Sequence, residues 1–348
     1  MLVLKLALNS LGSLFDYQLI PEDFSDRVKS SLLCKNQFGI RGHTGKAWEP
    51  IRIEASTEDL RLTVTNDTLL TSLTDELIPE VVEYFAKVLT VQRSTTPLVL
   101  ENRCSPDADT CNTATSCPTP AKYLGKSGGV EADLVLLFTF STFSCDESSI
   151  AWSRACSPSE CERPFHAQVN ICPGLFESFT RSAQKSILVH EVTHALGFNA
   201  WVLAVEDLVR SSPLVGYFEA NTFLRCPMLC AYFPRIWGCP ECVPRIVSPN
   251  AVVHAREFFG CDSLNSVELV MWDGDCHWSP AIMEDSMDPY GDSEALLSTM
   301  TLALLEDTGL YKPNYSMAAK PVEGVTSGYK GGCDAALGIL AETDAENP

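Results

Sequence analysis

Residues 190–194 read His190-Glu191-Val192-Thr193-His194. On a helix, two histidines four residues apart face the same way, so their imidazoles can converge on one tetrahedral metal. Zinc accepts nitrogen ligands and keeps its fourth position open when only three protein ligands bind. Glu191 lies one residue round from His190. It can reach a water at that open position without ligating the metal, take its proton and later deliver it to a leaving amine. The pattern is the HExxH arrangement of metalloproteases. The competing reading is a chance match on an ordinary amphipathic helix. The neighbours Ile187, Leu188, Val192, Ala195 and Leu196 count against it, because they bury the helix, and unpaired His and Glu there would be costly to desolvate.

That chemistry needs a scaffold. Ser182 to Leu196 reads as the helix that carries the motif, and Gly197 follows where a helix C-terminus favours a residue tolerant of positive φ. Upstream, Arg52 to Glu54 and Leu60 to Thr65 alternate apolar and polar residues, which predicts strands, and Ile78 to Val91 has helical spacing. Asp133 to Phe140 and Gln168 to Ile171 read as buried strands, and Cys, Pro, Thr, Ser and Gly mark residues 101–128 as a cross-linked loop. Downstream, residues 198–276 are of mixed composition, and Thr299 to Asp307 reads as a second helix, ended by Gly309. Strands precede helices without regular alternation, which predicts an α+β fold with a mixed sheet over helices.

The 348 residues suffice for a well-buried core and suggest two packed subdomains. Apolar content of 45% and charged content of 20% fit a globular protein. The net charge of −20, with no Lys/Arg cluster, excludes a nucleic-acid partner and disfavours an anionic membrane surface. The longest apolar stretch, Leu134 to Phe143, is too short to span a bilayer. The N-terminus is a poor signal peptide because Lys5 sits inside its apolar run, and the tail AETDAENP carries no lipid-anchor signal. Fifteen cysteines nevertheless suggest an oxidising compartment, with at least one thiol lacking an intramolecular partner. The sequons at Asn66 and Asn314 are compatible with secretion. The expectation is an extracellular or cell-surface monomer.

A catalytic zinc needs a third protein ligand. The compact spacing known among HExxH enzymes would place a histidine where Ala200 stands. Glu206 and Glu219 are carboxylate candidates, and His43, His166, His254 and His277 are the remaining histidines. The residues alone leave the choice open.

Several ordered stretches narrow it. IRIEASTEDL (51–60), AWSRAC (151–156), QVNICP (168–173), HEVTHALGF (190–198), AREFFGCDSL (255–264), CHW (276–278) and TLALLEDTGLY (301–311) together resemble the leishmanolysin family from roughly residue 49 to 334. These are metzincins with a long insertion before the third histidine. The resemblance implies a metzincin-type zincin with a twisted mixed sheet, an active-site helix and a second mixed lobe. It implies one catalytic Zn2+ held by His190, His194 and His277, with Glu191 as general base. It also implies that Met287, in DSMDP, is the methionine of the turn beneath the metal, in preference to Met283. His254 is then a surface or helix residue.

The implied organisation is an N-terminal segment, residues 1–48, read as a pro-segment remnant. A catalytic subdomain at 49–197 follows, then an insertion and central subdomain at 198–334, and a polar tail at 335–348. Cys261 and Cys333 match a family disulfide, and Cys156 is implied to pair with Cys104, Cys111 or Cys117. No cysteine in residues 61–75 matches the family's more N-terminal bridge, and the family's Cys-rich C-terminal domain has no counterpart here. Cys226, Cys230, Cys239 and Cys242 could hold a structural zinc, but two disulfides suit the compartment better. Cys34 could occupy the open zinc position as a pro-segment thiolate, though SLLCKNQF does not match the family motif. The implied activity is endopeptidase cleavage of protein or peptide substrates through a Glu-activated, zinc-bound water. The alternatives are a catalytically weak surface adhesion or interaction protein on the same scaffold, and a structural zinc protein built on the Cys cluster.

Overall fold

A computed structural model describes residues 47–93, 96–100, 117, 119–124, 129–156, 163–198, 245–272, 275–279, 285–287 and 296–336. Cys34, His43, Cys104, Cys111, Ala200, Glu206, Glu219, the 226–242 cysteine cluster and Met283 lie outside the described residues.

The fold is α+β. Its centre is a four-stranded sheet in the order β2-β4-β6-β5, built from Ile53–Ser56 (β2), Leu134–Phe140 (β4), Ala151–Ala155 (β5) and His166–Ile171 (β6). β2, β4 and β6 run parallel, and β5 pairs antiparallel with β6 along one edge. The run LVLLFTF of β4 is apolar almost throughout because both faces of this inner strand are covered. Leu134, Leu136 and Phe138 join the main core, while Val135 and Leu137 pack in a second cluster with Leu100, Tyr123 and the Cys117–Cys156 bridge.

Two smaller antiparallel sheets flank this unit. One pairs β1 (Trp48–Pro50), β3 (Leu89–Gln92) and β10 (Lys312–Pro313). The other pairs β7 (Arg245–Ile246), β8 (Val267–Trp272) and β9 (Asp275–Trp278) in that order. The principal helices are α3 (Ile78–Val88), α4 (Arg181–Leu196), α5 (Pro249–Phe259) and α6 (Thr299–Asp307). α1 (Glu58–Thr63), α2 (Asp67–Thr71) and α7 (Gly332–Ala336) are short. One continuous apolar core runs from Ile51 to Ala336 and takes side chains from both sides of the long insertion.

Two elements differ from the sequence-based expectation. Of the residues expected as a strand at Leu60 to Thr65, the first four belong to helix α1, which ends at Thr63. Leu60 and Val64, four residues apart, are buried, whereas Leu62 is 85% exposed, so the working period is helical. Glu58 and Asp59 in the first turn favour the helix N-terminus. The helix expected at Ile78 to Val91 ends at Val88, and Leu89–Gln92 turns into β3. It also begins earlier, because α2 continues through a π-helical turn at Ser72–Leu77 into α3. Pro79 sits just after that wider turn, where a regular helix would lose a hydrogen bond to the missing proline N–H.

Three described disulfides staple the fold: Cys117–Cys156, Cys145–Cys172 and Cys261–Cys333. The first resolves the partner of Cys156, and the third agrees with the bridge implied by the resemblance.

Candidate metal centre

Helix α4 carries the first half of the site. Thr180 caps its N-terminus, its side chain accepting from the Ala183 N–H at 3.2 Å. From Ser186 to Leu196 every residue is buried, His190, Glu191 and His194 included. Gly197 ends the helix with φ of +120°, which a side chain would resist. The Gly197 N–H bonds the His194 carbonyl at 3.0 Å and the Phe198 N–H bonds the Thr193 carbonyl at 3.1 Å. This reversal is a Schellman-type end, and it brings the Phe198 carbonyl under His194, whose Nδ1–H donates to it at 2.6 Å.

The second half comes from far along the chain. β9 pairs antiparallel with β8, with His277 opposite Val270. The next residue, Trp278, is fully buried and donates its N–H to the Met287 carbonyl at 3.0 Å. That bond holds residues 285–287 against the strand. Met287 is buried, and its N–H donates to Asp285 Oδ1 at 2.7 Å. The carbonyl of Ser286 accepts from His190 Nδ1–H, so this turn orients a ring on the distant helix.

The result is a convergence of three imidazoles. His194 Nε2 lies 3.0 Å from His190 Nε2 and 3.2 Å from His277 Nε2. Among the described residues, this triad is the group of His, Cys, Asp and Glu placed to hold a metal ion. Burial, reinforced by the neighbouring His194, pushes the pKa of His190 down to about 3, and burial pushes His194 down to about 4. Burial and the other two rings hold His277 well below the usual histidine range. The rings are therefore neutral at physiological pH, the state in which imidazole ligates metals.

The donor set fits a tetrahedral cation. His190 and His194 spend their single N–H on backbone carbonyls through Nδ1, which leaves lone pairs on both Nε2 atoms facing each other. A cation placed between them would satisfy both lone pairs. Two nitrogens each about 2.0–2.1 Å from zinc at tetrahedral angles stand roughly 3.3 Å apart, close to the separations seen here. The two carbonyls are the outer partners that fix ring orientation and tautomer. Among the described residues His277 Nδ1 has no such partner.

The sequence profile described as leishmanolysin matches residues 57–337. The chain belongs to the leishmanolysin family. It is 25% identical over 358 residues to a leishmanolysin-like peptidase of Caenorhabditis elegans, covering 81% of this chain and 52% of that protein. A leishmanolysin-like peptidase of Drosophila pseudoobscura pseudoobscura is 24% identical, covering 86% of this chain and 52% of that protein. A leishmanolysin of Leishmania amazonensis is 23% identical, covering 78% of this chain and 45% of that protein. The chain thus spans about half the length of these relatives.

In this leishmanolysin-family chain the other described histidines stand apart from the triad. His254, on α5, stacks on Tyr315 with ring centroids 4.7 Å apart and lies near Glu257. His166 opens β6 and is buried. Sequence reasoning missed Phe198, Ser286 and Asp285. The first two act through backbone carbonyls, which no residue type announces. Asp285 could have been noticed as the acidic residue opening DSMDP.

Proposed function

We propose that this chain is a zinc-dependent endopeptidase of the metzincin type, with His190, His194 and His277 as ligands and Glu191 as general base. The observation that carries this reading is the meeting of the His277 imidazole nitrogen with those of His190 and His194, on the buried helix that also carries Glu191. Bound zinc would supply Lewis acidity, polarising the scissile carbonyl and acidifying a coordinated water. Glu191 takes the proton of the attacking water and returns it to the departing amine, which lets the peptide bond break without expelling an amide anion.

The substrate is a protein or peptide bound in an extended form. β5 is the outer strand of the sheet, and among the described residues no strand pairs with its far edge. It packs beside α4 and can accept an added strand by backbone hydrogen bonds. Met287 forms the turn that supports the metal. The chain divides functionally into 49–197, which supplies the helix and sheet, and 198–334, which supplies the third histidine, with the cleft between them. The three disulfides suit an extracellular or cell-surface location, and no described helix is long and apolar enough to cross a membrane. We take the working unit to be a monomer.

The test is cleavage of casein, with and without a zinc chelator, by wild type and Glu191→Gln, with metal content measured in both. The expected result is chelator-sensitive cleavage that falls by about 10²–10⁴-fold in the variant, with zinc retained. Undiminished turnover in Glu191→Gln would remove Glu191 from the mechanism. Zinc-loaded wild type that cleaves nothing would favour the adhesion or interaction reading.

A further inference from the structure

Asp285 is buried and stands outside the three-imidazole group. Its carboxylate gathers donors from three places. The Met287 N–H reaches Oδ1 at 2.7 Å, the Ser298 N–H reaches Oδ2 at 2.9 Å, and the Thr301 hydroxyl lies 2.9 Å from both oxygens. Ser298 is the N-cap of α6 and Thr301 is in its first turn. Thr301 Oγ1 in turn accepts from Trp278 Nε1 at 2.8 Å. One acceptor-only group therefore ties the 285–287 turn, the start of α6 and, through Thr301, the residue next to His277. Burial pushes its pKa up, and the donors of Ser298, Met287 and Thr301 oppose that rise.

We infer that Asp285 is the positioning residue of the metal centre, a buried bracket that sets two of the three imidazoles from outside the ligand shell. This rests on the zinc reading above. One route runs through the turn: the Met287 bond fixes the peptide that places the Ser286 carbonyl on His190 Nδ1. The other runs through Thr301 to the Trp278 indole, while the Trp278 N–H is tied to the Met287 carbonyl. His277, with no partner on Nδ1 among the described residues, depends on this second route for its orientation. Outer partners that orient ligands typically govern metal affinity by about 10–100-fold.

The chemistry of the bracket makes it testable. Backbone N–H groups approach both oxygens of Asp285, so an amide there must turn its NH2 toward one of them. Asp285→Asn keeps the volume and breaks the bracket. Thr301→Val keeps the shape and cuts the relay to Trp278, while Thr301→Ser retains the hydroxyl. Zinc affinity, by competition with a chromogenic chelator, and the visible spectrum of the cobalt-loaded protein are compared with the melting temperature of the metal-free protein. Asp285→Asn and Thr301→Val are expected to weaken zinc binding about 10–100-fold and change the cobalt spectrum, and Thr301→Ser to restore both. If Thr301→Val melts lower but keeps wild-type zinc affinity and cobalt spectrum, the network is scaffold only and the inference is overturned. Should Asp285→Asn fail to fold, the Thr301 pair decides alone. A wild type that binds no zinc overturns the zinc reading itself, whereas a zinc-binding, casein-cleaving wild type with unaffected Thr301→Val overturns only the bracket.

Discussion

The two halves of the candidate metal centre are built in opposite ways. His190, Glu191 and His194 occupy five consecutive residues of one helix. Once α4 folds, the spacing of its turns sets the two rings, and the Gly197 reversal adds the carbonyl that orients His194. His277 arrives 83 residues after His194 on a short strand. Its placement depends on partners at 285–287 and 298–301 that no local spacing supplies. The Cys261–Cys333 bridge adds a covalent closure 72 residues long around this second half, whereas α4 has no covalent staple among the described residues. A site half local and half distant should fail differently according to which half is struck.

Loss of the distant ligand should have the largest effect on metal. His277→Ala removes one of three converging nitrogens and should weaken zinc by more than the roughly 100-fold that loss of an outer partner costs. His254→Ala is the matched control: it removes a ring stacked on Tyr315 that is not part of the triad, and should leave zinc affinity unchanged. Chelator competition on both variants checks the pair. The reverse ranking would mean that β9 does not supply the third ligand.

The same contrast explains what the sequence made legible. The α4 motif needed only helical periodicity and Gly197, and the apolar run of β4 announced an inner strand. At Leu60 to Val64 the alternation of residue types misled, because exposure of Leu62 is decided by what the segment packs against. His277 was singled out among the histidines by its resemblance to the leishmanolysin pattern, since CHW has no intrinsic spacing to the helix. The carbonyls of Phe198 and Ser286 were invisible for a deeper reason: every residue has one, and only the tertiary path selects which meets an imidazole.

A smaller effect should come from the local half when its turn is strained. Gly197→Ala forces a side chain onto φ of +120°, a cost of about 1–3 kcal/mol. Because the same turn delivers the Phe198 carbonyl, zinc affinity should fall about tenfold as well. Gly309→Ala strains a comparable turn at the end of α6, where φ is +70°, without touching a ligand partner. It should lower the melting temperature but leave zinc binding alone. Equal zinc losses in the two variants would show that general loosening, rather than the orientation of His194, governs the metal.

The smallest effect should come from the stitch between the halves. Tyr311, just after α6, is fully buried, and its hydroxyl donates to the Leu196 carbonyl at the end of α4, 2.8 Å away. Tyr311→Phe keeps the packing and deletes the bond, leaving a buried carbonyl short of a donor, at a cost of about 1–3 kcal/mol. The bond grips the backbone two residues beyond His194 and meets no imidazole. Stability to urea should therefore fall while zinc affinity and the cobalt spectrum stay as in wild type. A zinc loss matching that of Thr301→Val would mean that the halves are coupled through their whole packed boundary. In that case the centre would be tuned by the rigidity of the core, and no single carboxylate could be assigned the positioning role.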